Sequence, residues 1–214
     1  MKKRSTKPPE ERRAEIIQAS RKLFLKEGFN DAAVSRIVRA IGVAQGTFYY
    51  YFSTKEQVLD AVIEEYVQDL GGAFDAILAD ATREPWTSLQ LMVRTELGFD
   101  ARRARELYSI KGGDVHTRLF SRVTAVLAPR YGMIIERGMA RGGFSTPHPD
   151  LVAESILLHL HFLFDRDVLG WSPVQYARRL QAAERLIEVL LQIPAHSLDF
   201  HSRARQGSKN ARSG

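Results

Sequence analysis

Apolar residues recur three and four positions apart along nearly the whole chain, which is the spacing of helices that bury one face. No stretch of useful length alternates apolar and polar residues in the manner of a β-strand. The pattern therefore predicts an all-α protein.

Three short helices are predicted within the first 55 residues. The first begins near Pro9, a position at which proline is tolerated, and ends at Gly28. The second covers residues 34–41, and the third begins at about Gln45 and contains five consecutive aromatic residues at positions 48–52. This grouping predicts a small N-terminal domain.

A larger helical body is predicted to follow. A long helix should run from about Lys55 to Asp80, and breaks at glycine and proline delimit further segments at about 86–109, 115–141, 149–169 and 173–193. Pro129 should kink or divide the second of these. We therefore expect a basic arm (1–9), a helix-turn-helix head (10–55), a helical domain (56–195) and a disordered basic tail (196–214).

The composition narrows the class of protein. The chain of 214 residues has no cysteine, which excludes disulfides and thiolate metal sites and suits a cytoplasmic protein. No apolar run approaches the ~18 residues of a membrane span, and the basic opening lacks the apolar stretch of a secretion signal. We expect no membrane association, no metal and no cofactor.

The positive charge lies at the N-terminus. Residues 1–54 contain 11 Lys or Arg against 5 Asp or Glu, whereas residues 55–214 contain 20 of each sign, so the head carries the whole net charge of +6. A basic head is typical of a protein in which only that part meets a polyanion such as DNA. Charge alone leaves open that the surplus serves solubility.

The sharp turn between the second and third helices predicts a helix-turn-helix. Gly42 allows the turn, and apolar residues on both sides of it can fix the angle between the helices. In such a unit the second helix presents its N-terminal residues, here Gln45, Gly46 and Thr47, to base edges in the major groove. Gln pairs with adenine, and the Thr methyl can contact a thymine methyl.

The aromatic run adds candidate phosphate contacts. Phe48 and Phe52 should point inward, which leaves the hydroxyls of Tyr49, Tyr50 and Tyr51 free to donate to phosphate oxygens, although burial of Tyr50 is an equal alternative. Lys55 can add an ionic phosphate contact at the start of the long helix. Five basic residues of the arm and first helix are further candidates for backbone contact: Lys2, Lys3, Arg4, Arg12 and Arg13.

These residues resemble a known family. Gly28-Phe29, the stretch VSRIVRAIGV over residues 34–43 and the run from Gly46 to Glu56 are similar to the head of TetR-type transcriptional regulators. The resemblance covers residues 12–60. It implies an all-helical homodimer that binds a palindromic DNA operator, usually as a repressor released by a small-molecule effector.

The resemblance also assigns roles to single positions. It implies that Ser35, Gln45, Thr47 and Tyr49 face bases or their immediate backbone and that Tyr51 and Lys55 contact phosphates; we add Arg36, beside Ser35, as a candidate. The chain departs from the family at four positions. Ala32 and Ala33 lie where the family usually has Thr or Ser, Ala44 replaces a frequent Ser, and Tyr51 replaces a common His. Operator sequence and affinity cannot therefore be transferred.

The body offers candidates for dimerisation and effector binding. The last helix has two apolar stripes, and we expect one to pack on its own domain and the other on a second subunit. The candidate interface residues are Leu151, Ile156, Leu160, Phe164, Leu180, Ala183, Ile187 and Leu190. The resemblance implies an effector pocket among the middle helices, with candidates Trp86, Met92, Phe99, His116, Phe120 and Phe162.

The sequence has two alternative classes of function. An enzyme is not expected, because the chain has no H-E-x-x-H, Walker or nucleophile-elbow motif, and His159 and His161, two positions apart on a helix, cannot chelate together. A DNA-binding protein without sequence preference is the second alternative. It would bind random duplex about as tightly as any operator.

Overall fold

The computed structural model describes residues 7–98, 106–164 and 169–200, and every regular element in these ranges is a helix. The helices are α1 (Pro9–Glu27), α2 (Val34–Ala40), α3 (Gln45–Tyr51), α4 (Lys55–Ala79), α5 (Pro85–Gly98), α6 (Val115–Ala140), α7 (Pro149–Phe164) and α8 (Pro173–Leu190). A short helical segment at residues 106–109 precedes α6. The predicted all-α fold is confirmed.

Local sequence explains several of the helix ends. Helix α1 has Pro9 in its first turn, with Glu10 and Glu11 beside it, and it ends at Gly28, whose φ of +84° favours glycine. Helix α8 begins with a capping box, in which Ser172 and Gln175 satisfy each other's backbone N–H groups. Pro129 lies inside α6, which continues through it, so the predicted division of this helix does not occur.

The chain forms two compact units, and neither is a single stretch of sequence. The first comprises residues 1–72 and 100–126, and the second comprises residues 73–99 and 127–214. The first unit is thus larger than the head expected at residues 10–55. The reason is that the loop before α6 bonds to the α1–α2 loop, where the Phe29 N–H donates to the Lys111 carbonyl at 2.7 Å.

The first unit has its core where α1, α2, α3 and α4 meet. Side chains from each of these helices are excluded from solvent, among them Phe24, Ile37, Phe48, Phe52 and Leu59. Ion pairs tie α4 to the first half of α6, with Arg118 bonded to Asp60 at 2.7 Å. The three small N-terminal helices are therefore fixed to a longer scaffold.

The second unit is built from α5, α7 and α8 with the adjoining parts of α4 and α6. Helix α7 packs on α8 and also contacts α5. Arg130 forms a bidentate pair with Asp75 at 2.8 Å, which joins α6 to the end of α4 within this unit. That carboxylate has a pKa below its usual value because the Arg130 guanidinium donates hydrogen bonds to it.

The C-terminal segment corrects one expectation. Residues 196–200, expected to belong to a disordered tail, are docked on α8 and α5. The buried Glu188 accepts the Leu198 N–H at 2.9 Å, Glu184 accepts the Phe200 N–H at 2.6 Å, and both apolar side chains are buried. The remainder of the expected tail, residues 201–214, lies outside the described residues.

Candidate nucleic-acid interface

Helices α2 and α3 form a rigid helix-turn-helix. Gly42 has a φ of +68° in the turn, and the Val43 N–H donates to the Val38 carbonyl at 3.0 Å. Ile37 and Phe48 are completely buried between the two helices and the rest of the first unit. The helices are thus held at a fixed angle, as the sequence predicted.

The opposite face of α3 is left in solvent. Gln45, Gly46, Tyr49 and Tyr50, spaced so that they share one side of the helix, are all exposed; we call these four residues the recognition ridge. Tyr49 is 51% exposed and Tyr50 is 79% exposed. Burial of Tyr50, the alternative left open above, is therefore wrong in this structure.

The ridge rests on an aromatic support. Phe48 lies below it and contacts the Tyr49 ring edge-on at a centroid distance of 5.4 Å. Tyr50 and Tyr51 form a similar edge-to-face pair at 4.9 Å. Thr47 and Tyr51 are half-buried at the flanks of the ridge. Such ring pairs restrict the tyrosine side chains, which lowers the entropy lost when a partner binds.

The flanking candidates behave differently from one another. Ser35 is exposed in the first turn of α2. Arg36 is 49% exposed and pairs with Glu27, its Nη1 lying 2.6 Å from a carboxylate oxygen. Arg12 pairs with Glu15 at 2.6 Å, and Arg13 lies over the Phe52 ring at 5.0 Å. Lys2, Lys3 and Arg4 lie outside the described residues.

Lys55 is engaged within the protein, which differs from the phosphate contact expected of it. Its Nζ donates to the carbonyls of Phe29, at 2.7 Å, and Asn30, at 3.0 Å. The same ammonium lies 4.5 Å from the centroid of the Phe29 ring. These two carbonyl groups follow the end of α1 and accept no hydrogen bond from a helical N–H group, so they remain available to accept hydrogen bonds from the Lys55 ammonium.

The candidate effector residues are divided between the two units. His116 and Phe120 belong to the first unit, where His116 Nε2 lies 2.8 Å from the Tyr108 carbonyl. Trp86, Met92 and Phe162 belong to the second, where Met92 is fully buried whereas Trp86 and Phe162 are about half exposed. Phe99 lies outside the described residues. Because its described members belong to different units, this set of residues does not define one cavity.

A buried carboxyl that sequence reasoning missed lies in the second unit. Glu96 is 3% exposed, and the Tyr131 hydroxyl donates to it at 2.8 Å. Burial raises the pKa of Glu96 to about 8, although the hydrogen bond from Tyr131 acts in the opposite direction. The burial of Glu96 could have been predicted from the sequence, because Glu96 falls on the same helical stripe as the apolar Leu89 and Met92.

The candidate dimer residues are mostly internal. Ile156, Leu160, Leu180, Ala183 and Ile187 are buried within the single chain, since α7 and α8 pack on each other through them. Leu190 is half-buried, Leu151 is 53% exposed, and the side chain of Phe164 lies outside the described residues. Sequence periodicity identified these stripes but not which of them faces outward.

Large apolar side chains are instead exposed on the other sides of α7 and α8. Leu151, Leu158 and Phe162 follow one another on α7 at helical spacing, and Val174 and Val189 lie on α8. Val189 is 73% exposed and Leu158 is 55% exposed. We call these five residues the outer apolar face.

Two further findings concern the described ranges only. None of their helices combines the length and hydrophobicity required to cross a bilayer. Nor do three His, Asp or Glu side chains come close enough together there to hold a metal ion.

Comparison with known proteins places the head in a family. The family model for bacterial regulatory proteins of the tetR family matches residues 16–62, which include the helix-turn-helix. The repressor KstR2 of Rhodococcus jostii is 24% identical over 173 residues, which span 78% of this chain and 80% of that protein. The repressor DhaR of a Mycobacterium species is 32% identical over a shorter match, spanning 36% of this chain and 39% of its own length.

Solved structures share the fold. The fatty acid degradation regulator FadR from Bacillus halodurans has a TM-score of 0.62 at 20% identity, over 89% of this chain and 100% of that one. RolR, solved in complex with resorcinol, has a TM-score of 0.60 at 22% identity, over 89% of this chain and 96% of that one. The relatives named here are transcriptional regulators and not enzymes, which agrees with the expectation that this chain is not an enzyme.

Proposed function

We propose that this chain is a repressor of the TetR family of bacterial regulatory proteins, that it binds a palindromic operator as a homodimer and that a small molecule releases it. Family membership makes it a DNA-binding transcriptional regulator. The finer statements concern the operator contacts, the dimer and the effector. Since its partner is genomic DNA, we also propose that it acts in the cytoplasm.

The exposure of the recognition ridge is the observation that carries the proposal. Tyr49 and Tyr50 present large rings to water, while the buried Phe48 lies beneath them and contacts the Tyr49 ring. A helix of this size fits the major groove, in which Gln45 can pair bidentately with adenine and Gly46 permits close approach of the backbone. The tyrosine hydroxyls can then donate to phosphate oxygens along the groove.

Lys55, Ser35 and Arg36 have separate parts in the proposed interface. Ser35 is exposed at the start of α2, where its hydroxyl can contact the DNA backbone. Arg36 reaches a phosphate only by leaving Glu27, and Thr47 and Tyr51 retain enough exposure to contact the groove walls. Lys55, bonded to two carbonyls, supports the head instead of contacting phosphate.

Two heads are required for the affinity of a specific regulator. Each good base contact discriminates by about 1–3 kcal/mol, so one short helix with two such contacts supplies roughly 2–6 kcal/mol. Specific binding exceeds non-specific binding by about 4–10 kcal/mol. A dimer doubles the contacts, and we propose that a second subunit covers the exposed side chains of the outer apolar face about a two-fold axis.

Release by a small molecule is supported by the likeness of the whole fold to RolR, which was solved with resorcinol bound. We propose that the effector site lies in the second unit, which contains Trp86 and Met92 of the expected lining, whereas the exposed Phe162 of that set is assigned to the outer apolar face. Binding there would favour a conformation in which the two heads no longer fit one operator.

Selection from a random duplex library, followed by sequencing, tests the proposal. A two-fold symmetric motif is expected, bound at least ~10³-fold more tightly than random duplex at the same salt concentration. An asymmetric motif would contradict the homodimer. Equal affinity for all duplexes would indicate the alternative, a DNA-binding protein without sequence preference.

A further inference from the structure

Phe29 is held on several sides within the first unit. Its ring is 4% exposed and lies 5.3 Å from the ring of Phe24, with the Lys55 ammonium over it. Its backbone is engaged as well, because the N–H donates to Lys111 and the carbonyl accepts from Lys55. The loop between α1 and α2 is therefore fixed through this residue.

The loop that accepts the Phe29 N–H approaches so closely that only glycine fits. Gly113 has a φ of +67°, and a Cβ on it would lie 2.6 Å from the Phe29 ring. Gly112 has a φ of +79°, and a Cβ there would lie 2.7 Å from the Asn30 side chain. A Cβ at Gly113 must displace the buried Phe29 ring, whereas at Gly112 the exposed Asn30 side chain can move aside and the positive φ is the main obstacle.

The same loop is anchored to the scaffold of the first unit. Arg118 donates from Nε to the Gly113 carbonyl at 3.1 Å and from Nη1 to Asp60 of α4 at 2.7 Å. Arg122 forms a second pair with Glu64, one turn further along α4. The Lys111–Gly113 loop therefore contacts Phe29 on one side and, through Arg118, is joined to α4 and α6 on the other.

Helix α2 begins at Val34, only five residues after Phe29. Ile37 and Phe48 are completely buried and hold α2 and α3 together, so we expect a shift of the α1–α2 loop to change the orientation of the recognition ridge. We propose that Lys55 and the Lys111–Gly113 loop are positioning elements for operator recognition, acting through Phe29 and not through DNA. This inference rests on the proposed function, since it concerns how the recognition ridge is oriented toward the operator.

The chain offers a matched pair of glycine substitutions. Gly113→Ala introduces a methyl group against the Phe29 ring, whereas Gly142→Ala imposes the same kind of backbone strain, at a φ of +70°, with no atom within 4 Å. The measurement is the ratio of affinities for the selected operator and for random duplex. We expect Gly113→Ala to lower this ratio at least tenfold and Gly142→Ala to leave it within about twofold of wild type.

This ratio separates positioning from mere loss of folded protein. A variant that only folds less well loses active molecules, which weakens binding to both duplexes by one factor and leaves the ratio unchanged. An unchanged ratio for Gly113→Ala would overturn the inference. The wild-type ratio, measured in the same series, tests the proposed function independently.

Lys55 provides a second test through the dependence of affinity on salt. Removal of a phosphate contact lowers the slope of log affinity against log salt by about one. We expect Lys55→Met to weaken operator binding at least tenfold with an unchanged slope, and Lys55→Arg to restore part of the affinity because it still donates to carbonyls. A fall of about one in the slope would show that Lys55 contacts phosphate and would contradict its positioning role.

Phe29→Leu keeps the inference testable if Gly113→Ala does not fold. Leucine is apolar but lacks the aromatic ring that lies under the Lys55 ammonium and against Gly113. The ratio of affinities for operator and random duplex should therefore again fall at least tenfold. In the double variant with Gly113→Ala, the losses should not add, since both act on one contact. Additive losses, or a wild-type ratio for Phe29→Leu, would overturn the inference.

Discussion

The side chains of α3 have two kinds of environment within a single turn. Phe48 is completely buried and fixes the helix, whereas its neighbours Tyr49 and Tyr50 stand in water. Burial of a phenyl ring stabilises the fold by about 1.5–3 kcal/mol, a contribution that an exposed tyrosine does not make. The exposed rings thus add little to stability, which leaves them available for a partner.

Gln45 is the residue on which sequence preference should depend. We expect Gln45→Ala to reduce discrimination at one base pair per half-site by about 10–100-fold, equivalent to about 1–3 kcal/mol, with an unchanged salt slope. Competition binding with operators mutated at each position measures this. Gln181→Ala, which alters an exposed glutamine of α8, is the control; an equal effect from both would refute the proposed docking.

Glu96 should make the stability of the protein depend on pH. Its pKa is raised from 4.5 to about 8 in the folded chain, so its protonated form stabilises the fold fully below pH 4.5 and this contribution is lost as the pH rises to about 8. At about 1.4 kcal/mol per pH unit, the upper limit is about 4–5 kcal/mol.

Urea unfolding of wild type and Glu96→Gln between pH 4.5 and 8.5 isolates this effect, because other titrating groups cancel in the difference. Wild type should lose stability relative to the variant as the pH rises. A difference that stays constant over this range would mean that Glu96 keeps an ordinary pKa in the folded protein.

At the scale of helices, most of what the sequence predicted was local. The starts of α1 and α8 follow from Pro9 and Ser172, and the turn between α2 and α3 follows from Gly42. The docking of residues 196–200 was not predictable in this way. It depends on Gln90, 109 positions from its partner Asp199, and on Glu184 and Glu188, whose partners are 16 and 10 positions away across a break in the helix, so none of these contacts follows a helical period.

Two truncations test the docked C-terminal segment. Leu198 and Phe200 are buried, and each contributes about 1.5–3 kcal/mol of transfer free energy, partly offset by the entropy of ordering the segment. Ending the chain after Ala195 should therefore lower the free energy of unfolding by about 1–3 kcal/mol. Ending it after Phe200 retains the segment and should match wild type. Equal stability of both truncations would mean that the segment does not hold the fold.

At the scale of the whole molecule, the sequence predicted the fold class and the head but not the division into units. The run from Gly46 to Glu56, together with the turn at Gly42, carried the resemblance that the match to the tetR family model over residues 16–62 supports, because turn, core and exposed face lie close together in sequence. The contribution of residues 100–126 to the first unit depends on contacts between distant positions, among them the bond from Phe29 to Lys111 and the ion pair of Arg118 with Asp60. A contact between residues about 80 positions apart leaves no periodic signal.

The outer apolar face should govern assembly. We expect Leu158→Glu to place a charge in the proposed interface, convert the dimer to a monomer in light-scattering chromatography and weaken operator binding at least 100-fold. Met133→Glu, at a residue of α6 that is similarly exposed but lies outside this face, is the control. A Leu158→Glu protein that remains dimeric would exclude this surface as the subunit interface.

Site-specific photo-cross-linking to DNA tests most directly whether the recognition ridge enters the groove. A benzophenone-bearing amino acid at position 50, where Tyr50 is 79% exposed, should cross-link to bases of the selected operator, whereas the same probe in place of Met133, 46% exposed on α6 and outside the outer apolar face, should not. Equal labelling from both positions, or none from position 50 in a protein that binds the operator, would contradict DNA recognition by α3.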